Sequence, residues 1–212
     1  MLSSCELLRR ARPIMPVLTI ERLEHAVPLA GALAAAGCTV LEVTLRTPVA
    51  AAAIAAIRAE LPTVVVGAGT VVDHRSLREA VAAGAQFAVS PGFSASLRFA
   101  AAENHLCLLP GVMTPSEMMQ ALAHGCESLK LFPAVPMGGA AWLRALAGPF
   151  PQLRFCPTGG VGAGNYRELL ALDNVTCVGG SWFIDSAALR AGRWREIEAA
   201  TRATLQTLES TA

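Results

Sequence analysis

The chain has 212 residues, 53% of them hydrophobic, and a formal net charge of +1 at pH 7. This length predicts one domain over residues 1–212, and the near-neutral charge argues against a broad basic surface for nucleic acid or an anionic membrane. The apolar runs are too short to span a bilayer, and the N-terminus has no signal-type apolar core, so we expect a cytoplasmic protein. Six cysteines without paired spacing predict reduced thiols, neither disulfides nor a zinc site.

Eight short apolar runs predict strands along the chain. In chain order they are Pro16–Ile20, Thr39–Leu45, Thr63–Thr70, Gln86–Pro91, Leu106–Val112, Ser128–Pro133, Leu153–Gly160 and Val175–Trp182. Segments rich in Ala, Leu and Arg, with apolar residues at helical spacing, lie between them. The sequence therefore predicts a helix after each strand.

Several predicted helices have recognisable ends. Asp73 and Thr114 are suited to N-cap positions, and Thr114 is followed by Pro and by a Glu three residues later. Gly37, Gly84 and Gly125 stand where helices should end, because glycine readily adopts the left-handed conformation that closes a helix. The residues that mark helix ends thus agree with the periodicity of the apolar residues.

Eight alternating units with apolar strands predict an α/β fold, in which helices cover a parallel sheet. Eight units close most naturally into a (β/α)8 TIM barrel, and an open doubly wound sheet is the alternative. Residues 1–12 could form an additional N-terminal helix at the bottom of the barrel. The last helix is expected over Asp185–Leu208, where Gly192 could interrupt it.

The second predicted strand carries polar residues on the face that should point into the barrel. Its alternate apolar residues, beginning with Leu41, would pack outward on helices, because successive side chains of a strand point to opposite faces. Glu42 and Thr44 would then point inward, with Arg46 at the mouth of the barrel. The carboxyl ends of barrel strands are where catalytic residues gather, so these residues are candidates for a site.

The sixth predicted strand contains Lys130, the single lysine of a chain that has sixteen arginines. Strand alternation points Ser128, Lys130 and Phe132 inward. Lys130 and Glu42 could form only a structural ion pair, but such a buried pair adds little net stability. An apolar cavity disfavours the ammonium form, so we expect the free amine of Lys130 to attack a carbonyl while Glu42 moves protons.

Two further groups of residues indicate which charged groups a substrate would carry. Arg46, unless it is an ordinary surface cation, could bind a carboxylate together with the hydroxyl of Thr70. The segments Thr158-Gly159-Gly160 and Gly179-Gly180-Ser181 end the seventh and eighth strands, where barrels often bind phosphate through backbone N–H groups. Either diglycine could be a tight turn, but the two together favour a phosphorylated substrate.

Taken together, these motifs closely resemble those of the 2-keto-3-deoxy-6-phosphogluconate (KDPG) aldolase family. The resemblance runs from about Val17 to beyond Gly192 and is carried by the segments Glu42–Thr47, Gly67–Thr70, Lys130–Pro133, Phe155–Gly160 and Gly179–Trp182. One mild departure is Thr19 in the first strand, which is more polar than the family resemblance leads us to expect.

The resemblance implies a trimeric class I aldolase of the Entner–Doudoroff pathway, also active on 4-hydroxy-2-oxoglutarate, with no metal or organic cofactor. It implies that Lys130 forms the Schiff base and that Glu42 is the general acid/base. Arg46 and Thr70 would bind the substrate carboxylate, and Phe132 would pack beside the reactive carbon. The phosphate would be bound by Thr158, Gly159, Gly160, Gly180 and Ser181.

Three alternatives remain open at this point. A sibling aldolase that acts on the galactonate epimer could share nearly every motif. A non-covalent isomerase or synthase barrel would use Lys130 only as a positive charge. A sugar-phosphate sensor would need an added interaction segment, for which we see no room in the chain.

Overall fold

The computed structural model describes residues 2–209, with side chains through residue 207, as alternating strands and helices. The strands are β1 Ile14–Leu18, β2 Val40–Thr44, β3 Val65–Gly69, β4 Phe87–Val89, β5 Cys107–Leu109, β6 Gly111–Val112, β7 Ser128–Leu131, β8 Arg154–Pro157 and β9 Val178–Gly180. The helices are α1 Ser4–Arg10, α2 Ala26–Ala36, α3 Ala50–Glu60, α4 His74–Ala82, α5 Ala95–Glu103, α6 Pro115–Ala123, α7 Gly139–Ala147, α8 Tyr166–Leu170, α9 Ser186–Arg190 and α10 Trp194–Glu209.

The strands form two parallel sheets. One has the order β5-β4-β3-β2-β1-β9 and the other the order β6-β7-β8. Isolated parallel bridges between Phe155 and Val175 and between Thr158 and Gly179 connect the β8 region to the β9 region. The prediction of an α/β fold built on parallel strands is therefore confirmed.

The predicted fifth strand is divided at Pro110. A proline has no N–H to donate to a neighbouring strand, so the run is split into β5 and β6 on either side of it. The carbonyl oxygen of Pro110 still accepts a hydrogen bond from the N–H of Lys130, at 2.9 Å. This bond ties the interruption directly to β7.

The predicted helix ends lie close to the observed ones. Asp73 and Thr114 are the N-caps of α4 and α6, and each forms a capping box with the residue three positions later. Gly37 is the C-cap of α2, with a φ of 114°. The last predicted helix is divided into α9 and α10, with Gly192 between them at a φ of 67°.

The apolar core has two parts. The larger one lies between the sheets and the surrounding helices and includes Leu33, Ile54 and Phe155. The smaller one includes Leu7 and Leu8 of α1, with Phe87 of β4 among its members. Among residues 2–209, no helix is both long and apolar enough to cross a membrane.

Candidate active site

Lys130 and Glu42 meet inside the fold although they come from different sheets. Lys130 lies on β7 and Glu42 on β2, 88 positions apart in the chain. Lys130 Nζ donates hydrogen bonds to Glu42 Oε1 at 3.1 Å and to Oε2 at 3.4 Å. Lys130 is only 6% exposed and Glu42 only 2%, so both charged groups are removed from bulk water. Desolvation offsets much of the attraction in such a pair, so stability alone is a weak reason for it.

The space around this pair depends on Gly69. Gly69 is the last residue of β3 and lies in register with Thr44 of β2. A Cβ atom at Gly69 would come within 2.6 Å of Glu42 Cγ and 2.8 Å of Cδ. The missing side chain of Gly69 therefore leaves the room that the Glu42 carboxylate occupies, a role that strand alternation alone did not reveal.

An aromatic ring also lies near the amine. Lys130 Nζ is 5.4 Å from the centroid of the Phe132 ring. The ring face is electron-rich and accommodates a cation, while its carbon atoms limit the approach of water. The amine thus has a carboxylate as one neighbour and an aromatic ring as another.

Arg46 and Thr70 are joined at the ends of adjacent strands. Arg46 is exposed, and its Nε donates to Thr70 Oγ1 at 3.0 Å. Thr70 has a φ of 61°, a conformation that is unfavourable for a β-branched residue and is therefore held by its surroundings. In this arrangement Thr70 orients the guanidinium, whose remaining N–H groups are able to bind a carboxylate.

A second polar pair lies at the carboxyl ends of β1 and β2. Thr44 Oγ1 lies 3.1 Å from Thr19 Oγ1 and donates to the carbonyl oxygen of Leu18 at 3.0 Å. Thr44 is fully buried, and these bonds satisfy its hydroxyl. The polar Thr19, which departed from expectation, thus provides a partner for Thr44.

The loop after β8 contains two consecutive glycines, so its backbone carries no side chains there. Gly159 and Gly160 have φ values of 93° and 76°, which glycine adopts without strain. The side chain of Asn165 bridges this loop, since Nδ2 donates to Gly160 O at 3.1 Å and Oδ1 accepts from Gly162 N at 2.9 Å. Sequence reasoning missed Asn165, although an Asn that follows a glycine-rich segment is a typical turn-forming residue.

The loops after β8 and β9 present backbone donors that have no protein acceptor. Among the described residues, the N–H groups of Gly160 and Ser181 donate to no backbone or side-chain oxygen. Thr158 is buried, and a parallel bridge connects it to Gly179 beside Gly180 and Ser181. The two predicted diglycine segments are therefore neighbours, and free backbone N–H groups close together suit an oxyanion.

The interior also contains thiols, but Cys177 is a poor nucleophile. A hydrogen bond with Cys156 and complete burial raise the pKa of the Cys177 thiol well above its ordinary value. The thiolate is the nucleophilic form of cysteine, so a protonated thiol does not compete for a carbonyl. The amine of Lys130 is the group suited to that reaction, because it can form a Schiff base and has a carboxylate beside it to accept and return protons.

Comparison with known proteins agrees with this chemistry. Residues 5–200 match the family model for KDPG and KHG aldolases. The KHG/KDPG aldolase of Escherichia coli K12 is 50% identical over 195 residues, which is 92% of each chain. The 2-dehydro-3-deoxy-phosphogluconate aldolase of Dickeya dadantii is 50% identical over 200 residues, which is 94% of each chain.

A solved structure is similar over nearly its whole length. The crystal structure of KDPG aldolase from Legionella pneumophila, with pyruvate captured as a covalent carbinolamine, superposes with a TM-score of 0.91. The two chains are 44% identical, and the match covers 95% of this chain and 98% of the Legionella chain. With the family match over residues 5–200, these similarities show that the protein belongs to the KDPG and KHG aldolase family.

Proposed function

We propose that this protein is a class I aldolase that cleaves 2-keto-3-deoxy-6-phosphogluconate to pyruvate and glyceraldehyde 3-phosphate and that also acts on 4-hydroxy-2-oxoglutarate. The observation that carries this proposal is the buried contact of 3.1 Å between Lys130 Nζ and Glu42 Oε1. It places a nucleophilic amine beside a proton carrier in a site with little water. The relatives that are 50% identical are named for the same chemistry.

In the proposed reaction, the amine of Lys130 adds to the C2 ketone of the substrate, and loss of water gives an iminium. Glu42 accepts the proton of the C4 hydroxyl, and the C3–C4 bond breaks as its electron pair moves toward the iminium nitrogen. Glyceraldehyde 3-phosphate leaves. The enamine that remains is protonated at C3, and hydrolysis of the resulting iminium releases pyruvate and restores Lys130.

The two charged ends of the substrate fit the two groups beside this pair. We assign its carboxylate to Arg46, with Thr70 holding the guanidinium by the bond of 3.0 Å. We assign its phosphate to the Thr158–Gly160 segment and to Gly180 and Ser181, because unpaired N–H groups occur there. Phe132, whose ring centroid is 5.4 Å from Lys130 Nζ, would pack beside the reacting carbon.

At the level of the fold, we infer that the two sheets close into one (β/α)8 barrel, which forms a single domain. Three observations support closure: the bridges between the β8 and β9 regions, the continuity of β5 and β6 through Pro110, and the Lys130–Glu42 contact across the interior. Contacts of α1 with β5 and β7 support a position for this helix at the N-terminal end of the barrel.

Family membership also leads us to propose a homotrimer that works in the cytoplasm, in the Entner–Doudoroff pathway. No part of the proposed site requires a metal or an organic cofactor, because the iminium formed on Lys130 is the electron acceptor for bond cleavage.

Steady-state cleavage of the two epimeric substrates tests the proposed activity. With lactate dehydrogenase and NADH to report pyruvate, we expect rapid turnover of the phosphogluconate substrate and a lower kcat/KM for the phosphogalactonate epimer. A higher kcat/KM for the galactonate epimer would replace the proposed substrate with its sibling. Absence of pyruvate from both substrates would contradict the aldolase assignment.

A further inference from the structure

A cavity of about 470 Å³ lies at the opposite end of the strands from the mouth of the barrel. Ser128 and Arg154, the first residues of β7 and β8, line it together with residues of α1 and of the turn that follows α1. Lys130 and Glu42 are not among its lining residues. The cavity is therefore separate from the candidate active site.

The lining of this cavity carries an excess of positive charge. Three arginines, Arg9, Arg12 and Arg154, line it together with a single carboxylate, that of Asp173. Within residues 2–207, none of these four residues belongs to an ion pair. Unpaired guanidinium groups grouped around one space favour an anion there.

The geometry of Arg154 makes it a fixed part of the wall. Its Nη1 donates to the carbonyl oxygens of Pro151 and Leu153, each at 2.8 Å. The guanidinium has five N–H donors, so others remain for a ligand. An arginine that is held in this way loses less conformational entropy when it binds.

Ser128 provides an independent sign of a ligand. It is only 3% exposed, yet its hydroxyl makes no hydrogen bond to any residue of the described chain. In the described part of the chain every enclosed side-chain N or O atom has a hydrogen-bond partner, so the Ser128 hydroxyl is open to the cavity and free to bind a ligand there. Ser128 alternates with Leu129 along β7, which directs its side chain to the barrel interior at the end where the cavity opens.

We propose that this cavity is a second binding site, for the phosphate group of a small organic phosphate. The guanidinium groups of Arg9, Arg12 and Arg154 match the geometry of phosphate oxygens, and the Ser128 hydroxyl would donate to one of them. The apolar side chains of Leu170, Leu172 and Val175 provide a wall for the organic part of the ligand. A volume of about 470 Å³ is that of a site for a small molecule.

Cys5 gives a local readout of this site. It lines the cavity, it is exposed, and its Sγ lies 3.1 Å from Arg9 Nη2, whereas the other five cysteines are buried. The full-length protein is treated with iodoacetamide in the presence of phenyl phosphate, of inorganic phosphate, or of neither, and Cys5 alkylation is followed by peptide mass spectrometry. At about ten times Kd only about one site in eleven is open, so alkylation should slow about tenfold.

Two variants on α1 and in the turn after it separate this site from any other phosphate site. The double substitution Arg9→Ala/Arg12→Ala should abolish protection, measured as the ratio of rates with and without ligand in the same variant. Arg10→Ala is the matched control, because Arg10 pairs with Glu6 and does not line the cavity. Ser128→Ala should weaken protection while leaving the positive charge in place.

Each outcome decides a part of the proposal. The organic phosphate site is supported if phenyl phosphate protects Cys5 more strongly than inorganic phosphate does. This protection should be lost in Arg9→Ala/Arg12→Ala and kept in Arg10→Ala. Equal protection by inorganic phosphate would identify the free ion as the ligand and overturn the organic part. Absence of protection by both probes, or protection that persists unchanged in the double variant, would overturn the site. None of these outcomes depends on the aldolase activity.

Discussion

Glu42 faces the amine of Lys130 from a position that is only 2% exposed. The substitution Glu42→Gln keeps the size of the side chain and one oxygen acceptor, but an amide cannot accept a proton at neutral pH. Because a positioned acid/base group contributes about 10²–10⁴-fold to a rate, we expect kcat to fall by a factor in this range while the far-UV circular dichroism spectrum is unchanged. Turnover close to that of the parent enzyme would refute the acid/base role.

Gly69 gives a second prediction at the scale of one residue. Alanine at this position would bring a methyl group within 2.6 Å of Glu42 Cγ, so the carboxylate must shift away from Lys130. We expect Gly69→Ala to lower kcat at least as much as a shift of about 1 Å in a catalytic group does, about 10²-fold.

A matched control for Gly69→Ala lies in helix α2. A Cβ atom at Gly31 would meet no other atom within 4 Å, and alanine in a helix interior is about 0.5–1 kcal/mol more favourable than glycine. Gly31→Ala should therefore keep full activity and raise the melting temperature. Full activity in Gly69→Ala as well would show that the Glu42 carboxylate does not need the space at Gly69.

The residues of the site could be predicted from the sequence only in part. Strand alternation identified Glu42 and Lys130 as inward residues, because burial of apolar neighbours fixes which face of a strand is outward. It could not indicate that Gly69 makes room for Glu42, since that requires the register between β2 and β3. The contact between Thr19 and Thr44 could not be predicted either, because it depends on the register between β1 and β2.

At the scale of an element, the start of α6 predicts a dependence of stability on pH. Partial burial of the Glu117 carboxyl acts to raise its pKa, but hydrogen bonds from the N–H groups of Thr114 and Met113 outweigh burial and hold the pKa below its ordinary value of 4.5. A carboxyl group whose pKa is lowered by folding stabilises the native state above its unfolded pKa. This contribution is lost as the pH falls through the folded value.

The substitution Glu117→Gln tests this dependence, because glutamine keeps the capping geometry but has no charge. We expect the variant to be less stable than the parent at neutral pH and the difference in unfolding free energy to shrink as the pH falls below 4.5. Urea unfolding of both proteins at about pH 7 and about pH 4 measures this difference in unfolding free energy. A difference that stays constant with pH would contradict the role of the charge.

Local sequence signals predicted the starts of helices better than the limits of strands. Asp73 and Thr114 marked helix starts correctly, because a cap is decided by a few consecutive residues. Strand ends were less predictable, and β1 begins at Ile14, two residues before the predicted Pro16. The division at Pro110 follows from the missing N–H of proline, yet the apolar run around it reads as continuous.

At the scale of the whole molecule, the candidate site exists because two sheets face each other. Lys130 on β7 and Glu42 on β2 meet only when the parallel strands curl around a common interior. The sequence predicted the alternation of strands and helices from which this architecture follows. It could not predict the contact of 3.1 Å, because no pattern along the chain fixes a distance between residues 88 positions apart.

The two ends of the parallel strands carry different chemical groups. The strand ends near Thr44 and Gly69 carry the groups proposed to hold a keto acid, whereas the opposite ends carry Arg154 and the unpaired hydroxyl of Ser128. Active sites of parallel barrels lie at the carboxyl ends of the strands. Ligand binding at the other end would therefore leave the catalytic end open to its substrate.

Trapping of the covalent intermediate tests the central claim most directly. The protein is incubated with pyruvate, reduced with borohydride, and analysed by intact mass and peptide mapping. We predict an increase equal to one pyruvate less one water plus two hydrogens, located on Lys130, and no such increase in Lys130→Arg, which keeps the charge but has no usable nucleophile. An unmodified parent protein, or an adduct that persists in Lys130→Arg, would contradict the account.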